Sequence, residues 1–149
     1  MTMLIAFDGS EDARAAIAYA GARIRPEPAV VLTVWEPLLT QTAWPPTAEP
    51  MPLPGETWAE EREAERIAGE GARLALDAGL PDARPRAERG AGPVWATIVD
   101  VARELDATLI VTGSRGLSGV KSVLLGSVSD RVLHHADRPV LIVPPPSAG

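Results

Sequence analysis

The sequence predicts an α/β fold in which a five-stranded parallel sheet is covered on both faces by about four helices. Two observations support this prediction. Short apolar runs that end at glycine, proline or an acidic residue are typical of strands buried on both faces. Between them lie longer stretches whose apolar residues recur at helical spacing, and strands that alternate with helices form parallel sheets. The 149 residues are enough for one domain, and we expect a single domain over residues 1–149.

The chain begins with a predicted strand, helix and second strand. Met3–Phe7 is wholly apolar and ends at Asp8-Gly9-Ser10, which is typical of a turn. Ser10 is a good N-cap, and the two acidic residues after it favour the first turn of a helix. Val30–Trp35 is the second apolar run. The inner face of this helix is expected to hold Ala13, Ala16, Ile17, Ala20 and Ile24.

A proline-rich segment, residues 37–54, interrupts the alternation. Proline removes a backbone donor and fixes φ, so no regular element is expected at this density. We therefore predict a long loop inside the domain. Loops of this length often act as lids or binding loops, although a solvated insertion fits the composition equally well. The prolines are Pro37, Pro45, Pro46, Pro50, Pro52 and Pro54.

A long helix and a weak strand come next. The helix is predicted over Glu56–Ala78, with an acidic outer face and with Gly79 and Pro81 to end it. Ala83–Glu88 is polar and contains Pro85, so we expect an edge strand there. The inner face of the helix is expected to hold Ala64, Ile67, Gly71, Leu74, Ala75 and Ala78.

Two further helices and two strong strands complete the pattern. A helix that opens at Pro93 and runs to Leu105 precedes the apolar strand Thr108–Thr112. The last helix is predicted over Ser127–Ala136 and the last strand over Pro139–Val143. The inward residues of the helix after Pro93 are expected to be Val94, Ile98, Val101, Ala102 and Leu105.

Composition excludes several classes of function. The chain has no cysteine, which removes disulfides, thiolate catalysis and cysteine metal sites. Its net charge of −6 disfavours general nucleic-acid binding, although backbone dipoles can still bind single anions. The first residues lack the basic and small-residue features of a secretory signal, and no apolar run is long enough for a membrane helix. We expect a cytoplasmic protein.

Three of the strands end in residues suited to ligand contact. They are Asp8-Gly9-Ser10, Val34-Trp35-Glu36 and Thr112–Gly116, and ligands bind beyond the carboxyl ends of parallel strands. Gly113 lets the chain turn sharply off its strand and Gly116 leaves room for a phosphate. Gly126 opens the last helix, whose first residues offer backbone N–H groups at the positive end of its dipole. These segments predict a phosphate cradle that includes Ser127, Val128 and Ser129.

The same residues also fit other roles. The glycines and Asp8 are also suited to turns and caps, and Arg115 to solvent as well as to phosphate. Lys121 follows a valine, so the segment is not a P-loop, and the glycines at 90 and 92 do not continue into a Rossmann fingerprint. His134 and His135 are adjacent on a helix and point apart, so we expect no metal site.

The spacing of the glycines resembles that of a known family. From Gly113 the chain reads G-x2-G-x9-G-S between an apolar strand and the last helix. This is similar to the nucleotide-binding motif of the universal stress proteins, and the resemblance runs from the first strand and its DGS to the closing VLIVP. It implies a Rossmann-like sandwich that binds ATP, with or without Mg²⁺. It also implies a homodimer formed through the last strand: Val140, Leu141, Ile142 and Val143.

The resemblance also implies roles for individual residues. Asp8 would lie near the adenine and ribose, and the backbone of Val34 would contact the adenine. The residues implied to hold ribose and phosphates are Thr112, Gly113, Gly116, Gly126, Ser127, Val128 and Ser129. No general base is evident opposite the phosphate loop, so we expect a regulatory stress-response protein with at most slow ATP hydrolysis. The alternatives are a nucleotide-free interaction module and, third, a nucleotide hydrolase that uses Asp8 or Glu36.

Overall fold

Five parallel strands and four helices alternate along the part of the chain that the computed structural model describes, residues 1–36, 59–114 and 127–145. The predicted α/β fold is confirmed, and each strand lies within one residue of its expected bounds. The predicted loop over 37–54 and the first residues of the long helix fall outside the described ranges. In chain order the elements are β1 (Met3–Ala6), α1 (Glu11–Arg23), β2 (Ala29–Trp35), α2 (Ala59–Asp77), β3 (Ala83–Arg89), α3 (Val94–Leu105), β4 (Leu109–Gly113), α4 (Ser127–His135) and β5 (Val140–Val143).

The strand order is β3-β2-β1-β4-β5, and every pairing is parallel. The chain steps outward from β1 through β2 to β3, and it then returns to the other side of β1 to form β4 and β5. Strand order therefore reverses between β1 and β4, and doubly wound sheets form their ligand crevice at the carboxyl ends of the strands at such a point. β3 lies at one edge, as its polar sequence and proline predict.

The sheet separates two apolar layers because alternate residues of each strand point to opposite faces. On one face Met3, Ile5 and Phe7 pack with α1 and α2, and on the other Leu4 and Ile110 pack with α3 and α4. Both layers are fully shielded from solvent at their centres, so β1 is buried on both faces as its unbroken apolar run predicts.

Two helix termini follow local sequence rules, whereas one residue in the first turn of α3 departs from its expected orientation. Ser10 caps α1 by accepting the N–H of Ala13 on its Oγ at 3.2 Å. Asp106 ends α3 in the left-handed conformation, with φ of 50°. The expectation that Val94 points inward is wrong: it is 37% exposed, because it lies in the open first turn that follows Pro93.

Arg138 fastens the end of α3 to the turn before β5. Its Nη1 donates to the carbonyl oxygens of Ala102 and Ala107, each at 2.9 Å, and the side chain is largely buried. Its Nε donates to the carboxylate of Asp137 at 2.9 Å, and this hydrogen bond lowers the pKa of the Asp137 carboxyl. One guanidinium thus adds a charged donor to the Ala102 carbonyl, which also accepts the N–H of Ala107, and joins this helix end to the turn before β5.

Replacing Arg138 by methionine should lower the free energy of unfolding by about 2 kcal/mol, because hydrogen bonds from charged donors are worth more than neutral ones. Urea unfolding followed by circular dichroism measures the change. Arg131→Met, on the exposed side of α4, is the matched control and should change stability by less than about 0.5 kcal/mol. Equal losses in the two variants would contradict the role of Arg138.

Candidate functional site

The carboxyl ends of β1, β2 and β4 meet at the middle of the sheet. The pairings Ala6 with Leu32 and Ile5 with Val111 set the registers on either side of β1. Continued along the strands, these registers put Asp8 level with Val34 and with Ser114. The three strand ends that the sequence marks for ligand contact therefore lie at one edge, beside the crevice between β1 and β4.

Asp8 begins a tight turn that leads into α1. Its Oδ1 accepts the N–H of Ser10 at 2.9 Å, and Gly9 between them has φ of +83°, which strongly favours glycine. Ser10 in turn caps α1. The structure therefore gives Asp8 a local capping role at the edge of the crevice.

Gly113 is the point where the end of β4 meets α1. A Cβ on Gly113 would lie 2.9 Å from the carbonyl carbon of Asp12 and 3.0 Å from its Cβ. The φ of Gly113 is not positive. Glycine is therefore needed here for the close approach of the two backbones rather than for a left-handed φ, and its expected part in a sharp turn off the strand stays a prediction.

Val34 and Thr112 occupy less open positions beside the turn. Val34 is half-buried and packs against the apolar layer under α3. Thr112 is buried, and its Oγ1 donates to the carbonyl of Gly113 at 3.1 Å. The side chains of both residues are thus occupied inside the protein, and their backbone groups are the parts that lie at the carboxyl edge of the sheet.

The first turn of α4 is tied to the end of β4. Ser129 is 2% exposed, and its Oγ donates to the carbonyl oxygen of Ser114 at 3.0 Å. Val128 is half-buried and, like Val34, packs against the apolar layer on the α3 and α4 side of the sheet. Ser127 is exposed. A helix start carries backbone N–H groups and partial positive charge, so this bond holds an anion-binding element next to the crevice.

Sequence reasoning included Ser114 in the strand end Thr112–Gly116 but missed its hydrogen bond with Ser129, and it missed the close approach of Asp12 to Gly113. Each contact joins two different elements, β4 with α4 or β4 with α1, and local sequence patterns do not set the distance between elements. Of the remaining predicted ligand residues, Arg115, Gly116 and Gly126 lie outside the described residues, as does Lys121. His135 stacks on Trp95 with ring centroids 4.3 Å apart. Within the described ranges no group of three or more acidic or histidine side chains is arranged to hold a metal ion.

Replacing Ser129 by alanine should lower the free energy of unfolding by about 1–2 kcal/mol, because the buried hydroxyl is lost and a buried carbonyl loses a donor. Thermal unfolding by calorimetry measures the effect. Ser127→Ala removes a hydroxyl two residues away on the exposed side and should leave stability unchanged within about 0.5 kcal/mol. If Ser129→Ala were as stable as the wild type, the bond to Ser114 would not anchor α4.

Fold and site together define a doubly wound α/β protein of the class in which ligands bind beyond the carboxyl ends of the strands. The model of the Universal stress protein family matches residues 1–144. The universal stress protein encoded in the QAH/OAS sulfhydrylase 3' region of Thermus aquaticus is 34% identical over 142 residues, which cover 95% of this chain and 97% of that protein. The chain belongs to the universal stress protein family.

Two other relatives match over shorter stretches. Universal stress protein Sll1388 from Synechocystis is 54% identical over 46 residues, covering 31% of this chain and 30% of that protein. A universal stress protein from Mycolicibacterium smegmatis is 38% identical over 103 residues, covering 64% and 32%. The matched part thus spans about a third of the length of these two relatives.

Solved structures share the fold over nearly the full chain. Hypothetical protein PH0823 is 26% identical with a TM-score of 0.74 and covers 99% of this chain and 98% of its own. A universal stress protein in complex with cAMP is 26% identical with a TM-score of 0.68 and 98% coverage of each chain. The universal stress protein from Archaeoglobus fulgidus in complex with dAMP is 24% identical with a TM-score of 0.66, covers 96% and 97%, and shows the shared fold. None of the helices within the described ranges has the length and hydropathy to cross a membrane.

Proposed function

We propose that this protein binds an adenine nucleotide at the crevice between β1 and β4. One observation carries the proposal: the first turn of α4 is fastened to the end of β4 by the bond from Ser129 to Ser114, at the point where strand order reverses. That arrangement places N–H donors of a helix start beside the strand ends. The chemistry suits phosphate, because the donors are backbone groups and need no basic side chain.

The proposed contacts divide along the crevice. Asp8 would accept hydrogen bonds from ribose hydroxyls, and the backbone of Val34 would contact the adenine. Phosphates would be held by the backbone at Thr112 and Gly113 and by the start of α4. We extend the phosphate site to Arg115, Gly116 and Gly126, which lie outside the described residues. The contacts at the start of α4 are those of Ser127, Val128 and Ser129.

ATP is the nucleotide that we propose, with Mg²⁺ to offset the charge between its phosphates and nearby carboxylates. A relative of 26% identity whose structure contains cAMP supports an adenine nucleotide but leaves the number of phosphates open. Asp8 precedes a helix whose first turn holds Glu11 and Asp12, and α4 has Asp130 in its first turn. These acidic residues add repulsion for a triphosphate that a divalent cation would reduce.

The direct experiment is to denature the purified protein and identify any released nucleotide by mass spectrometry. The stripped protein is then titrated calorimetrically with ATP, ADP, AMP and cAMP, with and without Mg²⁺. We expect ATP to bind and Mg²⁺ to tighten it. If no nucleotide is released and none binds at millimolar concentration, the proposal is wrong and the alternative of a nucleotide-free interaction module takes its place.

Asp8→Asn separates the ligand role of Asp8 from its capping role. The amide oxygen can still accept the N–H of Ser10, so stability should stay within about 0.5 kcal/mol of the wild type. Nucleotide affinity should fall about tenfold, because a charge-assisted hydrogen bond is replaced by a neutral one. Calorimetric titration measures the affinity, and Asp8→Ala should lose stability as well. Wild-type affinity in Asp8→Asn would leave Asp8 as a turn cap alone.

We propose further that the protein is a homodimer formed through β5. The N–H of Ile110 donates to the carbonyl of Pro139 and that of Ser114 to Val143, so these residues of β5 face β4. Val140 and Ile142 alternate with them and direct their N–H and C=O groups to the open side of the strand. An antiparallel second copy would pair with both residues, which are half-buried in the single chain.

The nucleotide in this proposal is a regulatory ligand of a cytoplasmic stress-response protein, and hydrolysis is at most slow. Turnover well below about one per second would agree with that role, since enzymes commonly exceed this rate. A faster rate that is lost in Asp8→Asn would instead indicate a nucleotide hydrolase.

A further inference from the structure

The outer backbone groups of β3 decide whether another strand can add to that edge of the sheet. In parallel pairing, alternate residues direct their N–H and C=O groups to opposite sides of a strand. The N–H of Ala29 donates to the carbonyl of Asp82 at 2.9 Å, and that of Gly90 donates to Trp35 at 2.8 Å. The even-numbered residues of β3 therefore face β2, and the odd-numbered residues face outward.

Pro85 occupies an outward position near the middle of β3. It is exposed and pairs in register with Val31. Because proline has no N–H, the outer edge lacks a donor there, whereas the ladder to β2 is formed by the even-numbered residues and is not interrupted. At an inward position the same proline would have removed a ladder hydrogen bond.

Charged side chains reinforce this closure. Arg84 is exposed beside Pro85. Arg86 donates to Glu88 at 3.1 Å and to Glu104 of α3 at 2.6 Å, so ionic groups line one face of the strand. A second strand at this edge would meet a missing donor and would have to desolvate these charges. β5 differs, because its outward residues Val140 and Ile142 are apolar and keep their N–H groups.

We infer that Pro85 closes β3 to strand addition, so that β5 is the sheet edge left to pair with a second copy of this chain. A sheet open at both edges allows head-to-tail growth without limit, whereas one open edge pairs about a two-fold axis and stops at two copies. The closure of β3 follows from its own geometry. Only the statement that assembly stops at two copies rests on the dimer proposed above.

The test restores the missing donor and measures assembly by sedimentation velocity over a concentration series. Pro85→Val should add an association step beyond the state of the wild type. Two copies paired at residue 85 gain two hydrogen bonds, each worth a factor of about five, so we expect the association constant for pairing at this edge to rise about 25-fold. If Pro85→Val does not keep the wild-type circular dichroism spectrum, Pro85→Ala is measured in its place, because it restores the same N–H with a smaller side chain.

Two matched variants isolate the N–H group. Ala87→Val adds the same β-branched side chain at the next outward residue and restores no donor, so it should sediment like the wild type. Pro85→Val combined with Ala87→Pro moves the missing donor by two residues and should also sediment like the wild type. Unchanged assembly in both Pro85→Val and Pro85→Ala would overturn the inference, as would equal association in Ala87→Val. A wild type that is monomeric would refute the β5 dimer but not the closure of β3.

Discussion

Replacing Gly21 by alanine should lower the free energy of unfolding by about 3 kcal/mol, although alanine is the better helix former by about 1 kcal/mol. A Cβ on Gly21 would lie 2.4 Å from the carbonyl oxygen of Ala78 and 2.5 Å from its Cβ. α1 and α2 come together here at their carboxyl ends. The contacted atoms belong to the backbone or are attached directly to it, so no side-chain rotation can relieve the overlap.

The segment that carries Ala78 is held on both sides. Gly79 follows with φ of +107°, and the N–H of the fully buried Leu80 donates to the carbonyl of Ala75 at 3.0 Å. To make room for a methyl group, α1 would have to separate from α2 or Leu80 would have to leave the core. Either movement removes apolar contacts on the face of the sheet that both helices cover.

Gly69→Ala is the matched control for Gly21→Ala. Gly69 is also inside a helix, but a Cβ there would meet no atom within 4 Å. That variant should therefore gain about 1 kcal/mol from helix propensity alone. In calorimetry the two melting temperatures should move in opposite directions, by roughly 2–4 °C for each kcal/mol. If both variants were stabilised, the result would contradict the close contact between Gly21 of α1 and Ala78 at the end of α2.

The difference between Gly21 and Gly69 also shows what the sequence can and cannot predict about the fold. Strand and helix bounds follow from local patterns: an unbroken apolar run gave β1, Ser10 with its acidic neighbours gave the start of α1, and Pro85 placed β3 at an edge. Distances between elements are not local. Gly71 was expected on the inner face of α2, but its Cβ position, 2.7 Å from Phe7 and from Val31, depends on how α2 lies on the sheet.

The candidate site divides in the same way. Parallel pairing brings the carboxyl ends of strands to one edge, so the sequence predicts that Asp8 and the strand end Thr112–Gly116 lie at the same edge. The contacts that hold the segments together could not be predicted, because the bond from Ser129 to Ser114 and the approach of Gly113 to Asp12 join different elements. The ligand roles of Arg115, Gly116 and Gly126 remain predictions, since these residues lie outside the described ranges.

Gly113→Ala should affect stability and nucleotide binding together. The added Cβ would lie 2.9 Å from the carbonyl carbon of Asp12 and 3.0 Å from its oxygen, both in the backbone of the first turn of α1. Separating β4 from α1 should lower the free energy of unfolding by about 2 kcal/mol or more. The turn from Asp8 to Ser10 leads directly into this helix. Its displacement relative to the start of α4 should weaken the proposed nucleotide binding at least about tenfold, because ligand contacts depend on sub-ångström placement.

Two measurements separate the packing of β4 on α1 from nucleotide binding. Calorimetric unfolding reports the contact between β4 and α1 alone, and titration with ATP at a temperature where the variant is fully folded reports the site. Gly92→Ala, where a Cβ would meet no atom within 4 Å, should change neither. A variant that unfolds earlier but binds as tightly as the wild type would place the nucleotide away from the junction of β4 and α1. Wild-type stability would contradict the close approach itself, because a methyl group cannot occupy that space unless the two backbones are further apart.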